Sequence, residues 1–171
     1  KEIISYIPDI KYIRNKKLYK QRFEELMNRN QEESSLVSER KQAGKTDLDI
    51  NLDAAEQLLK QLEKFEKNKK YLEKDWTLVR LAAAFNSNTK YLSKVIFYYR
   101  GKKFAEYIND LKVDHIIEVL KNDRRIRNYT NKGLAEEVGF SSTQRFTNAF
   151  VSRTGISPTY FIEELRKAEN D

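Results

Sequence analysis

An all-α fold is predicted by three features: only 5 Gly and 2 Pro in 171 residues, a 39% hydrophobic fraction at helical spacing among 35% charged residues, and a two-helix pattern that occurs twice. Leu81-Ala82-Ala83-Ala84-Phe85-Asn86 is echoed by Leu134-Ala135-Glu136-Glu137-Val138-Gly139, each followed by a small polar cluster and a second apolar helix. The expected architecture is two helix-turn-helix subdomains joined by a long connecting helix and preceded by N-terminal helices.

Residues 1–30 are expected to be a basic amphipathic helical segment. Ile10 to Arg22 hold six basic residues and no acidic one, interleaved with Tyr12, Ile13, Leu18 and Tyr19. Two readings suit this: a helix at an anionic surface or just inside a membrane, or a solvated helix face. Residues 31–50 are expected to be a linker, because 31–47 lack apolar periodicity and are rich in Ser, Gln, Glu and Lys. From Asp53 a helix begins whose seam, Ala55, Leu58, Leu62, Phe65, Lys69, Leu72 and Trp76, advances in alternating steps of three and four. It serves either to dock the helix on its own domain, the favoured reading, or to form a homodimer through residues 53–74.

Residues 51–171 are read as one domain, with the first helix-turn-helix at about 77–99, the connecting helix at about 103–121 and the second helix-turn-helix at about 130–153. Leu92, Val95 and Ile96 face inward in the first copy, and Phe146, Ala149 and Phe150 in the second. Ala82 and Ala135 are small enough for close helix approach, and Asn86 and Gly139 tolerate the positive φ of the turns. Thr77 and Thr130 are expected to cap the first helices, and Asn88 and Ser141 or Ser142 the second ones. Gly133 lies inside a predicted helix, at an expected penalty of about 1 kcal/mol relative to Ala. Phe104, Tyr107, Ile108, Leu111, Ile116, Ile117 and Leu120 mark a connecting helix of roughly 19 residues, or about 28 Å. That length suits two recognition helices held about 34 Å apart, one turn of B-DNA.

Leu134 to Phe161 (LAEEVGFSSTQRFTNAFVSRTGISPTYF) resembles the second helix-turn-helix of AraC/XylS regulators, through Gly139-Phe140, Phe146, Phe150, Gly155, Ser157-Pro158 and Phe161. The resemblance reaches back to about Trp76, a little over half the chain. It implies a transcriptional regulator that reads two successive major-groove segments of double-stranded DNA, with RNA polymerase as a further candidate partner. Residues 1–74 show no alternating strands, so the effector-binding barrel of many family members is not expected there. A basic helix, a linker and a late DNA-binding domain are similar to a branch of the family that joins a sensor, a membrane helix and a cytoplasmic portion. Ile3, Ile4 and Ile7 would then be the inner end of a span, and the chain, which carries no span of its own, would be cytoplasmic.

On the first recognition helix the outward positions are Thr89, Lys90, Ser93 and Lys94, with Lys90 and Lys94 as the strongest candidates and phosphate contact as the default role. On the second they are Thr143, Gln144, Arg145, Thr147 and Asn148, where the amides of Gln144 and Asn148 can pair with adenine. Further phosphate candidates are Asn88, Lys102, Lys103, Ser141, Ser142 and Arg153. Arg124, Arg125 and Arg127 form a loop cluster, read as solvated in preference to phosphate-binding. Tyr91, Phe97, Tyr98, Tyr107 and Phe140 are read as packing groups. The net charge of +7 is compatible with an anionic partner. Without cysteine, and with His115 the only histidine, disulfide frameworks, thiolate zinc sites and cysteine nucleophiles are excluded. No catalytic constellation, cofactor or metal site is expected. The alternative function is a non-catalytic helical adaptor or dimerisation module using the 55–76 seam.

Overall fold

The computed structural model describes residues 6–29 and 51–170, with side chains from Asn15 onward in the first stretch. All regular structure among the described residues is helical. The α-helices are α1 (Tyr6–Asn28), α2 (Leu52–Lys67), α3 (Leu78–Ala84), α4 (Thr89–Arg100), α5 (Phe104–Asn122), α6 (Asn131–Glu137), α7 (Thr143–Thr154) and α8 (Pro158–Ala168). Short 3-10 turns lie at Lys70–Leu72 and Ile126–Asn128. The elements expected at 77–99, 103–121 and 130–153 thus appear within a residue or two of those bounds. The expected linker at 31–50 lies outside the described residues. Two compact units are formed, one from the described residues between 51 and 149, the other from α1 with residues 150–170.

In the first unit α2 starts where Asn51 caps it, the Asn51 side chain accepting from Asp53 N–H at 3.0 Å. Its apolar stripe of Ala55, Leu58, Leu62 and Phe65 is buried in one core with Leu81, Leu92, Val95, Ile96, Tyr107 and Ile108. The docked reading of the seam is therefore the observed one. The seam also breaks earlier than its spacing suggested: α2 stops at Lys67, and Lys69 adopts a left-handed φ of 52° before the 3-10 turn. An adaptor surface along the 55–76 seam is not favoured, since the helix is not continuous and its apolar side faces its own core.

Polar bonds tie α2 to two other helices. Arg100 at the end of α4 donates from Nε and Nη2 to the two Glu66 carboxylate oxygens at 2.9 and 3.0 Å, and Tyr107 Oη of α5 donates to Oε1 at 2.8 Å. A bidentate, partly buried pair of this kind fixes orientation as well as adding energy. Burial and the neighbouring Glu66 carboxylate push the Tyr107 phenol far above its ordinary range.

The connecting helix α5 has the expected 19 residues and buries Tyr107, Ile108, Val113, Ile116, Ile117 and Leu120. At its C-terminal end the solvated reading of the arginine cluster needs correction. Arg127 is only 4% exposed. It donates from Nε to the Leu120 carbonyl at 2.6 Å and from Nη2 to the Lys121 carbonyl at 2.9 Å, satisfying carbonyls that a helix end leaves open. Arg125 instead pairs with Asp123 at the surface.

In the second unit α1 is a packing element. Phe23 and Leu26 are buried. The Phe23 ring lies 5.5 Å from Phe161 of α8, Tyr19 lies 5.6 Å from Tyr160, and Phe161 lies 5.9 Å from Phe150. Tyr19, Phe23 and Leu26 are spaced i, i+4, i+7, so they form one stripe. The emphasis on Ile10 to Arg22 cut that stripe in two and left residues 1–30 as a segment apart. Among the described residues no helix is long and apolar enough to cross a membrane. Ile3 and Ile4, expected at the end of a span, lie outside the described residues.

Gly133 sits in the first turn of α6 at an ordinary helical φ, and an added Cβ would meet nothing closer than 3.5 Å. Gly133→Ala should therefore stabilise the protein by about 0.5–1 kcal/mol. Urea denaturation checks this, and a loss of stability would show that the space beside Tyr129 is tighter than it looks.

Candidate nucleic-acid interface

Both helix-turn-helix units are built by the same local bonds. Thr77 Oγ1 accepts from Arg80 N–H and Thr130 Oγ1 from Gly133 N–H, each at 3.1 Å, so α3 and α6 are capped as expected. Each first helix ends with a residue of positive φ, Asn86 at 51° and Gly139 at 70°. In the first copy Ser87 N–H reaches back to Ala82 O and Asn86 N–H to Ala83 O; in the second Phe140 N–H reaches Ala135 O and Gly139 N–H reaches Glu136 O. This pair of bonds is the Schellman closure, which satisfies the last carbonyls and turns the chain sharply. The second helices start at matching caps: Asn88 Oδ1 accepts from Tyr91 N–H at 2.8 Å, and Ser142 Oγ accepts from Arg145 N–H at 3.2 Å. Residues 85–88 separate the helices in one copy and 138–142 in the other, so the second turn is one residue longer.

The buried sides of the two second helices leave the candidate residues outward. Leu92, Val95 and Ile96 are fully buried under α4, as are Phe146 and Phe150 of α7. Thr89, Lys90, Gln144, Arg145 and Asn148 are exposed, while Ser93, Lys94, Thr143, Thr147 and Arg153 are partly exposed. Gln144 Nε2 donates to Asn148 Oδ1 at 2.8 Å, so these two amides form one polar unit. Thr147 Oγ1 donates back to the Thr143 carbonyl at 2.6 Å, which leaves its methyl as the part available for contact. Asn88 and Ser142 use their side chains as caps, whereas Ser141 and Lys103 are exposed. Lys102 is bonded to Asp110 and partly buried, so it is a weaker phosphate candidate than its sequence position suggested.

Packing was the reading for five aromatics, and it holds for Tyr107 and Phe140. It fails for Phe97, 62% exposed, whereas Tyr91 and Tyr98 are each 39% exposed and the Tyr98 ring lies edge-on against Tyr99. Their helical spacing beside apolar residues was the signal, but α4 has one buried side and these three lie off it.

Sequence reasoning also missed Lys112, which is 5% exposed. From α5 its Nζ donates to the Gly139 carbonyl at 2.6 Å and the Glu73 carbonyl at 3.4 Å, and lies 5.3 Å from the centre of the Phe140 ring. Lys112 thereby joins the connecting helix, the loop before α3 and the turn of the second helix-turn-helix. Burial pushes its amine down to about 8, against a smaller opposing effect of the Asp75 carboxylate. The signal was present: Ile108, Lys112 and Ile116 follow one another in steps of four, so the lysine stands in a buried stripe.

His115 is half-buried with its ring 6.3 Å from Tyr71, and burial, followed by Lys69, holds the imidazole below its ordinary value. Among the described residues no group of His, Cys, Asp and Glu side chains could hold a metal ion.

Comparison with known proteins finds the same helix-turn-helix pattern. Residues 81–164, from α3 into α8, match the family described as a helix-turn-helix domain, of AraC type. That match takes in just under half of the chain. It is 31% identical over 84 residues to the uncharacterized HTH-type transcriptional regulator YfiF of Bacillus subtilis, covering 49% of this chain and 25% of that protein. It is 29% identical over 75 residues to the uncharacterized transcriptional regulatory protein YesN of the same organism, covering 43% of this chain and 20% of that one. The chain thus spans a quarter or less of the length of these relatives. Among solved structures it is similar to the C-terminal domain of AraT, a response regulator from Geobacillus stearothermophilus, with a TM-score of 0.54 and 22% identity over 63% of this chain and 84% of that one. That likeness concerns the fold.

Proposed function

We propose that this chain is the sequence-specific, double-stranded DNA-binding part of a cytoplasmic transcriptional regulator, non-catalytic, which reads two successive major-groove segments with α4 and α7. One observation carries the reading: two capped helix-turn-helix units of the same build each expose a second helix without a single carboxylate, TKYLSKVIFYYR in α4 and TQRFTNAFVSRT in α7. In a chain with 26 acidic residues, two such helices suit the close approach of a phosphate backbone. The 19-residue α5 between them supports the two-groove reading, being about 28 Å long. Lys90 and Lys94 act as electrostatic anchors with Lys103 and Arg153, while Gln144, Asn148 and the Thr147 methyl discriminate bases. Control of transcription then runs through RNA polymerase.

Mobility-shift titrations against duplexes selected from a random pool test this. Lys90→Ala and Lys94→Ala should weaken binding to all duplexes and lower the salt slope by about 1 each. Gln144→Ala or Asn148→Ala should change the preferred base at particular positions, by about 1–3 kcal/mol of discrimination. Because the two amides bond to each other, either substitution should disturb the same base pairs. Absence of any preference among duplexes at near-physiological salt would refute the proposal.

A further inference from the structure

We propose that Phe97 of α4 is a base-reading residue, its ring seated against the 5-methyl group of a thymine in the major groove. The inference rests on the DNA-binding reading and deepens it by assigning a base type to a residue that the polar and charged candidates leave out. Phe97 is 62% exposed although it lies in the helix that buries Leu92, Val95 and Ile96 completely. Isolated exposed apolar residues are common and by themselves mean little. Position decides here. Lys90, Lys94 and Phe97 are spaced i, i+4, i+7 and so form one stripe along α4, opposite its buried side. The stripe is about 10 Å long at 1.5 Å per residue, close to three base-pair steps of about 3.4 Å. A helix laid along the groove with its lysines at guanine or phosphate would carry the Phe97 ring over the neighbouring steps.

The chemistry of the groove suits an aromatic ring at that place. Thymine is the base that offers a methyl group there, and apolar side chains including Phe contact it. Tyr98 is less suited, because its ring is packed edge-on against Tyr99 at 4.9 Å. A protein partner is the competing occupant of an exposed phenylalanine. The two lysines on the same stripe and the lack of any carboxylate on α4 favour a polyanion over an ordinary protein surface.

The test uses the whole 171-residue chain and a duplex recovered by selection from a random pool. Each thymine is replaced in turn by deoxyuridine, which removes the methyl and nothing else, and binding is measured for the unaltered protein and for Phe97→Ala. One thymine, or two adjacent ones, should lose about three- to fivefold in affinity on replacement with the unaltered protein, a typical value for one buried methyl. With Phe97→Ala that loss should vanish, while the salt slope set by Lys90 and Lys94 stays the same. Circular dichroism should show Phe97→Ala folded, and the deoxyuridine series on the unaltered protein stands whether or not it is. Deoxyuridine effects that persist unchanged in Phe97→Ala would overturn the inference. Duplex binding by Phe97→Ala equal to that of the unaltered protein would overturn it too and assign Phe97 to a protein surface. In both cases the DNA-binding reading survives; it fails only if the unaltered chain shows no duplex preference.

Discussion

Gly139→Ala is expected to destabilise the unit of residues 51–149 by about 3 kcal/mol or more, the sum of a backbone penalty and a steric one. The backbone penalty comes from φ of +70°, where a residue with a Cβ loses about 1–2 kcal/mol. The steric penalty is larger. A Cβ at this position would lie 1.9 Å from the Leu72 carbonyl oxygen and 3.0 Å from its carbon, both of them backbone atoms. Relief requires the turn of the second helix-turn-helix to move away from the loop before α3, and that movement stretches the Lys112 bonds to Gly139 O and Glu73 O. Gly101→Ala separates the two contributions, because Gly101 has φ of +67° but nothing within 4 Å of its added Cβ. Urea denaturation of both variants should show Gly139→Ala losing at least about twice as much as Gly101→Ala. Equal losses would mean that the close approach to Leu72 carries no energy.

This close approach also shows where the sequence was legible and where it stopped being so. The repeat, the caps at Thr77, Thr130 and Asn88, and the positive φ of Asn86 and Gly139 were all readable, because each depends on residues within one turn of one another. The bounds of α5 followed from its apolar period. What was not readable was which distant group each buried polar side chain would meet. Arg127 looked like one of three loop arginines until its carbonyl partners at the end of α5 were known. Lys69 fitted a heptad position, yet its left-handed backbone ends the seam there. Phe23 and Leu26 belong to a stripe whose partners lie more than a hundred positions away in sequence, beyond the reach of any local pattern. For the interface itself, the outward placement of Lys90, Gln144 and Asn148 was deduced correctly, since it needed only the inward faces of α4 and α7. The exposure of Phe97 was not, because an apolar residue beside other apolar residues reads as core unless the helix is known to bury one side alone.

Lys112→Met should be less stable than the unaltered protein by an amount that grows as pH rises from about 7 to about 9.5. Two effects compete in this side chain. Its bonds to Gly139 O and Glu73 O stabilise the fold by about 1.5–3 kcal/mol when the donor is charged, while burial opposes the charge and brings the amine down to about 8 from 10.5. The sign follows from proton binding. Between those two values the unfolded chain holds the Lys112 proton more firmly than the folded one, so stability contributed by this group rises with pH from about 8 and levels off near 10.5. Methionine keeps the approximate volume but neither titrates nor donates. The stability difference between the two proteins should therefore widen by roughly 1–2 kcal/mol over that interval. Taking the difference cancels the tyrosines, which both proteins share. Paired urea denaturations at the two pH values supply the measurement. A difference that is flat or narrows with pH would mean that the folded amine titrates at its ordinary value, and that the link from α5 to the second helix-turn-helix carries no desolvated charge.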